Sequence, residues 1–154
     1  MSRGVFALAV GILLAPAAVA VCAVVLVAAT TLRLPAERGI EMHWGIAVPS
    51  GLRVVERHSE PGFVDGPGPA FTVFEPDRDA DLTKTLFDPR WMSPAALTSD
   101  QVVLVAEVTE ALQPENYLLL PQPGLRKAEV VRDDGVLLCL FDGAGGRFYV
   151  YESF

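Results

Sequence analysis

The chain has 154 residues and a formal net charge of −7, from 12 Lys and Arg against 19 Asp and Glu. All 19 acidic residues follow position 35, while Arg3 and Arg33 precede it and leave 10 basic ones behind, so residues 35–154 stand at −9. Such a surface repels phosphate backbones and anionic lipid headgroups, which excludes nucleic acid as an expected partner. Cys22 lies in a long apolar run and Cys139 in a strand-like one, so the two cysteines do not make a disulfide framework.

Residues 5–32 are 28 consecutive positions without a charge. As a helix they would extend about 42 Å, against roughly 30 Å of bilayer hydrocarbon. The run is about twice the 7–15-residue apolar core of a cleavable secretory signal, which favours retention, with cleavage near Ala28-Ala29-Thr30 as the alternative. It predicts a retained single-pass anchor, kinked at Pro16 and ended by Pro35. The positive-inside count is nearly balanced, with Arg3 on one flank and Arg33 and Arg38, offset by Glu37 and Glu41, on the other. The arrangement of basic start, apolar run and then a domain is that of a signal anchor, so the tail is expected inside and the domain outside the cell membrane. The lipid bilayer is thus the first expected partner, with a membrane or envelope protein the second. Ala7, Gly11 and Ala15 share one face of that helix, a spacing that lets two membrane helices approach closely.

The 120 residues after the anchor are one domain's worth and suffice for a modest core. Residues 35–44 read as a polar stretch with a short helix, and Trp44 is expected to pack on the domain. Residues 52–57 read as a strand, with Val54 and Val55 supplying β-branched bulk. Residues 58–70 carry three glycines and three prolines, a shaped loop. Residues 71–75 alternate as a strand, with Phe71, Val73 and Glu75 on one face and Thr72 and Phe74 on the other. Leu82, Leu86 and Phe87 predict a short amphipathic helix after the caps offered by residues 77–81. Residues 98–112 combine a fair helix start, TSDQ, with a β-branched run, and the valines tilt the reading to strand. Residues 117–120 and 128–132 are further strand candidates. Residues 135–152 predict a hairpin with Phe148 and Val150 facing one way and Tyr149 and Tyr151 the other; the apolar run 136–141 predicts burial on both faces. The fold class is α+β: an antiparallel sheet with one or two short helices behind a transmembrane helix.

These landmarks occur in a familiar order. His58, Gly62, Phe63, Asp65 and Gly66 in the loop, Trp91 and Pro94 after it, and Phe141-Asp142 with Phe148-Tyr149-Val150-Tyr151-Glu152 at the end resemble a family of small uncharacterised bacterial proteins. That family's pattern has a His-Gly-Gly-Phe-x-Gly-Asp-Gly-like loop, a Trp followed by Leu-Pro, and a Tyr-rich final hairpin. Here Ser59-Glu60-Pro61 separates the histidine from the Gly-Phe pair, and Ser93 stands where the Leu before Pro94 belongs. The resemblance spans residues 45–154 and implies the architecture; it carries no activity.

Candidate chemistry is sparse. His58 at a strand end and Asp65 in the glycine-shaped loop form a possible general-base or metal pair for a hydrolase or metal-dependent enzyme, although a loop-capping histidine explains the same pattern. Asp77, Asp79 and Asp81, with Asp88, approach the spacing of a calcium loop, yet Leu82 stands where that loop needs Gly, and helix capping explains the carboxylates too. Trp91, Tyr149 and Tyr151 are candidates for an aromatic binding patch, against ordinary two-faced hairpin packing. His43 has no second ligand at zinc spacing. No phosphate-cradling glycine loop or dinucleotide fingerprint occurs, so no cofactor is expected. The sequence therefore points to a tethered, non-catalytic binding or interaction module, with the His58/Asp65 enzyme and a subunit of a membrane complex as the alternatives.

Overall fold

A computed structural model describes residues 35–60, 68–94 and 96–154. Among them Pro35–Phe154 forms one compact unit in which α1 (Ala36–Trp44) is followed by β1 (Leu52–Ser59), β2 (Ala70–Pro76), α2 (Ser99–Leu112), β3 (Arg126–Arg132), β4 (Gly135–Asp142) and β5 (Arg147–Ser153). The five strands form one sheet in the order β1-β2-β5-β4-β3, antiparallel throughout. The α+β reading holds for Pro35–Phe154, with two helices among the described residues. Among the described residues no helix is long and apolar enough to cross a membrane; the expected anchor at 5–32, with Ala7, Gly11 and Ala15, lies outside them.

Period-two alternation splits the core into two layers, one on each face of the sheet. One layer joins Phe74, Leu137, Cys139, Phe148 and Val150 to Ile40 and Trp44 of α1 and to Phe87 and Met92. The other joins Phe71, Val73, Leu138, Leu140, Tyr149 and Tyr151 to Leu104, Val105 and Val108 of α2 and to Leu118. The alternation expected in β2 and β5 is therefore correct. The run 136–141 does belong to a strand covered on both faces, and β4 is interior to the sheet, between β5 and β3. Burial pushes the Cys139 thiol far up, which makes it a packing group.

Three expectations need correction. Residues 98–112 are helical, not a strand. Thr98 accepts from the Gln101 amide at 3.3 Å and the Gln101 side chain accepts from the Thr98 amide at 3.0 Å, a complete capping box. Gln101, Leu104, Val105 and Val108 then form one buried stripe at helical spacing. Residues 82–87 form turns and no helix. Local side chains take over the backbone there: Asp81 accepts from the Thr83 amide at 3.0 Å, the Thr85 hydroxyl donates to the Leu82 carbonyl at 2.8 Å, and Lys84 has φ of 60°. Residues 117–120 are not a strand either; Leu118 is buried in the α2-side layer and the Leu120–Pro121 bond is cis.

Two glycines are required by geometry. Gly45 ends α1 at φ 63°, its amide returning to the Glu41 carbonyl at 2.9 Å. At Gly135 a Cβ would lie 2.2 Å from the Ser153 carbonyl oxygen, so only glycine lets β4 start beside the end of β5.

Candidate functional site

The β3 edge carries a small apolar cavity. The segment entering α2 runs alongside β3: Ser93 and Lys127 exchange two backbone hydrogen bonds, each 2.8 Å. That bridge fixes Lys127 against the first turn of α2. Its Nζ donates to the Ala96 carbonyl at 2.7 Å and to Gln101 Oε1 at 2.6 Å. Gln101 Oε1 thus serves the helix cap and the ammonium together. Around this point Pro94, Leu97 and Val102 face Leu120, Pro121 and Leu125 across a cavity of about 310 Å³, with Lys127 in its wall. Leu97, Leu120 and Leu125 also pack on the α2-side core, so the cavity's inner wall is continuous with it. Val102, Val103 and Leu119 stay exposed in the adjoining segments.

No ion pair formed among the described residues includes Lys127. Both of its acceptors are neutral, and an ammonium has three donors. The cavity therefore couples an apolar wall to a positive charge that no neighbouring carboxylate neutralises.

His58 lies elsewhere. It sits on β1 opposite Phe71, whereas Lys127 is on β3, four strand spacings away across the sheet, roughly 19 Å. The His58 Nε2 is 2.7 Å from Glu56 Oε1. The pairing shift between Val54 and Glu56 is a bulge, after which Glu56 and His58 share the α2 side of β1. The Glu56 carboxylate also accepts from the Glu115 amide at 2.6 Å, the Asn116 amide at 2.8 Å and Asn116 Nδ2 at 2.7 Å. Burial raises the Glu56 pKa, but the Asn116 side chain, the two amides and His58 outweigh it and hold it below the usual range. This cluster ties β1 to the chain leaving α2. Asp65, the partner expected for His58, lies outside the described residues.

The aromatic candidates do not come together. Tyr149 and Tyr151 are buried in the α2-side layer, while Trp91 is 76 % exposed beside Met92 of the opposite layer. The Tyr151 hydroxyl is buried near the Leu118 backbone and Thr109 without a hydrogen bond of standard geometry, and burial pushes its pKa up.

No group of three or more His, Cys, Asp or Glu side chains among the described residues could hold a metal ion. Asp77, Asp79 and Asp81 are thus not gathered into such a group: Asp81 accepts from the Thr83 amide of its own turn, and Asp88 pairs with Arg90. The Arg90 Nε and Nη2 approach the two Asp88 oxygens at 2.9 and 2.7 Å, a bidentate pair.

Lys127, Gln101 and Glu56 were not singled out from sequence. Glu56 had a signal, because residues i and i+2 of a strand share a face with His58. Lys127 and Gln101 had none, since 26 positions separate them. Comparison with protein-family models, curated proteins and solved structures finds no match for the chain.

Proposed function

We propose that this chain is a single-pass membrane protein whose acidic domain stands outside the cytoplasmic membrane and acts as a non-catalytic binding module, with the cavity beside Lys127 as its contact site. The observation that carries this reading is the division of the chain into 28 uncharged residues and a −9 domain that presents an apolar cavity beside Lys127. Binding needs a tether and a recognition surface, and these two parts supply them. The His58 contact with Glu56 supports a positioning role for that histidine in the fold. The family resemblance of residues 45–154 is consistent with such a domain.

The test is alkaline carbonate washing of membranes holding the full chain, followed by protease added from outside. Retention in the pellet with an externally cleaved domain is the expected result. Release of the intact chain into the wash overturns the tether, and protection of the domain in sealed cells overturns its placement.

A further inference from the structure

We propose that the cavity beside Lys127 binds a free medium-chain fatty acid, with the acyl chain against Leu97, Val102, Leu120 and Leu125 and the carboxylate on the Lys127 ammonium; this deepens the binding-module reading above and rests on it. Three observations carry the ligand class. The first is size: about 310 Å³ is at the lower end of ligand cavities, which span about 300–1,000 Å³, so a short acyl tail fits and a two-chain lipid does not. The second is polarity, since the wall is aliphatic and proline-rich apart from Gln122 and Lys127 and so rewards burial of methylenes without asking for hydrogen bonds.

The third is charge. The Lys127 ammonium donates to two neutral oxygens, Ala96 O and Gln101 Oε1, and enters no ion pair among the described residues. Its remaining donor and its whole charge stay available at the wall of an apolar space, where a carboxylate gains most from both. In a domain of net charge −9, no acidic group among the described residues lies within ion-pair distance of Lys127, and those beyond it repel an anion through screening solvent. The adjacent ammonium acts at contact distance and decides the preference.

The test uses the full chain in nanodiscs of zwitterionic lipid and an eight-carbon carboxylic acid carrying a diazirine. After irradiation, peptide mass spectrometry is expected to find label within residues 94–102 and 120–127. Octanoate should compete at least about tenfold better than octanol, which lacks the charge. From hexanoate to octanoate, competition should improve about fourfold per methylene.

Gln101→Glu is the decisive variant. Glutamate at this position keeps the capping box and places a carboxylate beside Nζ, so the helix survives while the ammonium is neutralised. It should remove the preference for octanoate over octanol and leave octanol unchanged; circular dichroism confirms the fold. Label confined to residues 5–32, or octanoate competition unaltered by Gln101→Glu, overturns the proposal. So does an acetylated peptide ending in a leucine carboxylate that competes tenfold better than octanoate, because the site would then read chain termini. A chain that stays in carbonate-washed membranes without cavity label retains the tether and loses the ligand. A labelled cavity in a chain released by carbonate does the reverse.

Discussion

The indole Nε1 of Trp44 donates to Glu152 Oε2 at 2.7 Å, joining residues 108 positions apart. Trp44 ends α1, and Glu152 lies near the end of the central strand β5. Arg132 strengthens the same corner: its guanidinium donates to the His43 carbonyl at 2.7 Å and to the Trp44 carbonyl, and it lies 6.0 Å over the indole ring. Phe154 closes it, its ring centroid 5.3 Å from that of Trp44 and 5.6 Å from that of His43. The helix that follows the uncharged segment is thereby fixed to the sheet by directed polar contacts as well as apolar packing.

The Trp44–Glu152 contact makes a signed prediction. Burial raises the Glu152 pKa above its ordinary 4.5, against the opposing effects of the Trp44 donor, Arg57 and His43. A carboxyl with a raised folded pKa binds its proton more tightly in the folded chain. Its stabilising contribution is complete below the ordinary value and is lost as pH rises through the folded one. Glu152→Gln should therefore lose less stability than wild type between about pH 4 and about pH 7. Trp44→Phe leaves the carboxylate without its donor and should cost about 1–3 kcal/mol near neutral pH. Urea melts at the two pH values check both; a Glu152→Gln slope equal to wild type refutes the assignment.

How far the sequence reveals this arrangement depends on the range of each interaction. The β5 alternation is legible because a strand's period is two, and Phe148/Val150 against Tyr149/Tyr151 cannot face the same way. The helix α2 is not legible from propensity: Val102, Val103, Val105 and Val108 outweigh it, yet burial of Leu104, Val105 and Val108 on one stripe stabilises the helix in context. The turns at 82–87 escape periodicity because the side chains of Asp81 and Thr85 capture backbone groups that a helix would use. Contacts such as Gln101–Lys127 or Trp44–Glu152 are set by topology, and no local pattern announces them.

The capping box at α2 supports two elements at once, which predicts an unequal pair of effects. Thr98→Ala removes the acceptor for the Gln101 amide and should cost about 1 kcal/mol. Gln101→Ala removes the acceptor for both the Thr98 amide and the Lys127 ammonium, so it should cost more than Thr98→Ala. Thr98→Asp, which retains a capping oxygen and adds a charge that suits a helix start, should be near neutral. Thermal denaturation of the three variants ranks them, and Gln101→Ala milder than Thr98→Ala contradicts the shared role.

Glu56 predicts where local opening begins. Its carboxylate receives four donors, three of them from Glu115 and Asn116. Glu56→Gln replaces one acceptor oxygen by a donor facing N–H groups. The amides of Glu115 and Asn116 should then exchange with solvent about tenfold faster. His58→Ala removes one donor and leaves three, so its effect on the same amides should be smaller. Hydrogen exchange read at residue level distinguishes these outcomes, and a His58→Ala effect larger than that of Glu56→Gln places the histidine at the centre of the cluster instead.

Asp88 should dominate the acid limb of stability, with the opposite sign to Glu152. The Arg90 side chain, bonded to both carboxylate oxygens, is the main reason that the Asp88 pKa falls from its ordinary 3.8 to about 2; burial opposes it, and the Arg90 and Lys84 amides add to the lowering. A depressed folded pKa means the unfolded chain binds the proton first. The stabilisation is present above the ordinary value and is lost as pH falls towards about 2. Arg90→Gln removes the bidentate partner, so the Asp88 carboxyl should titrate closer to its ordinary value, and melting temperature should fall less steeply on acidification. Carboxyl chemical shifts of Asp88 followed through acid, in wild type and Arg90→Gln, measure this directly. Overlapping titrations would show that the guanidinium does not set the Asp88 pKa and that the turn amides do.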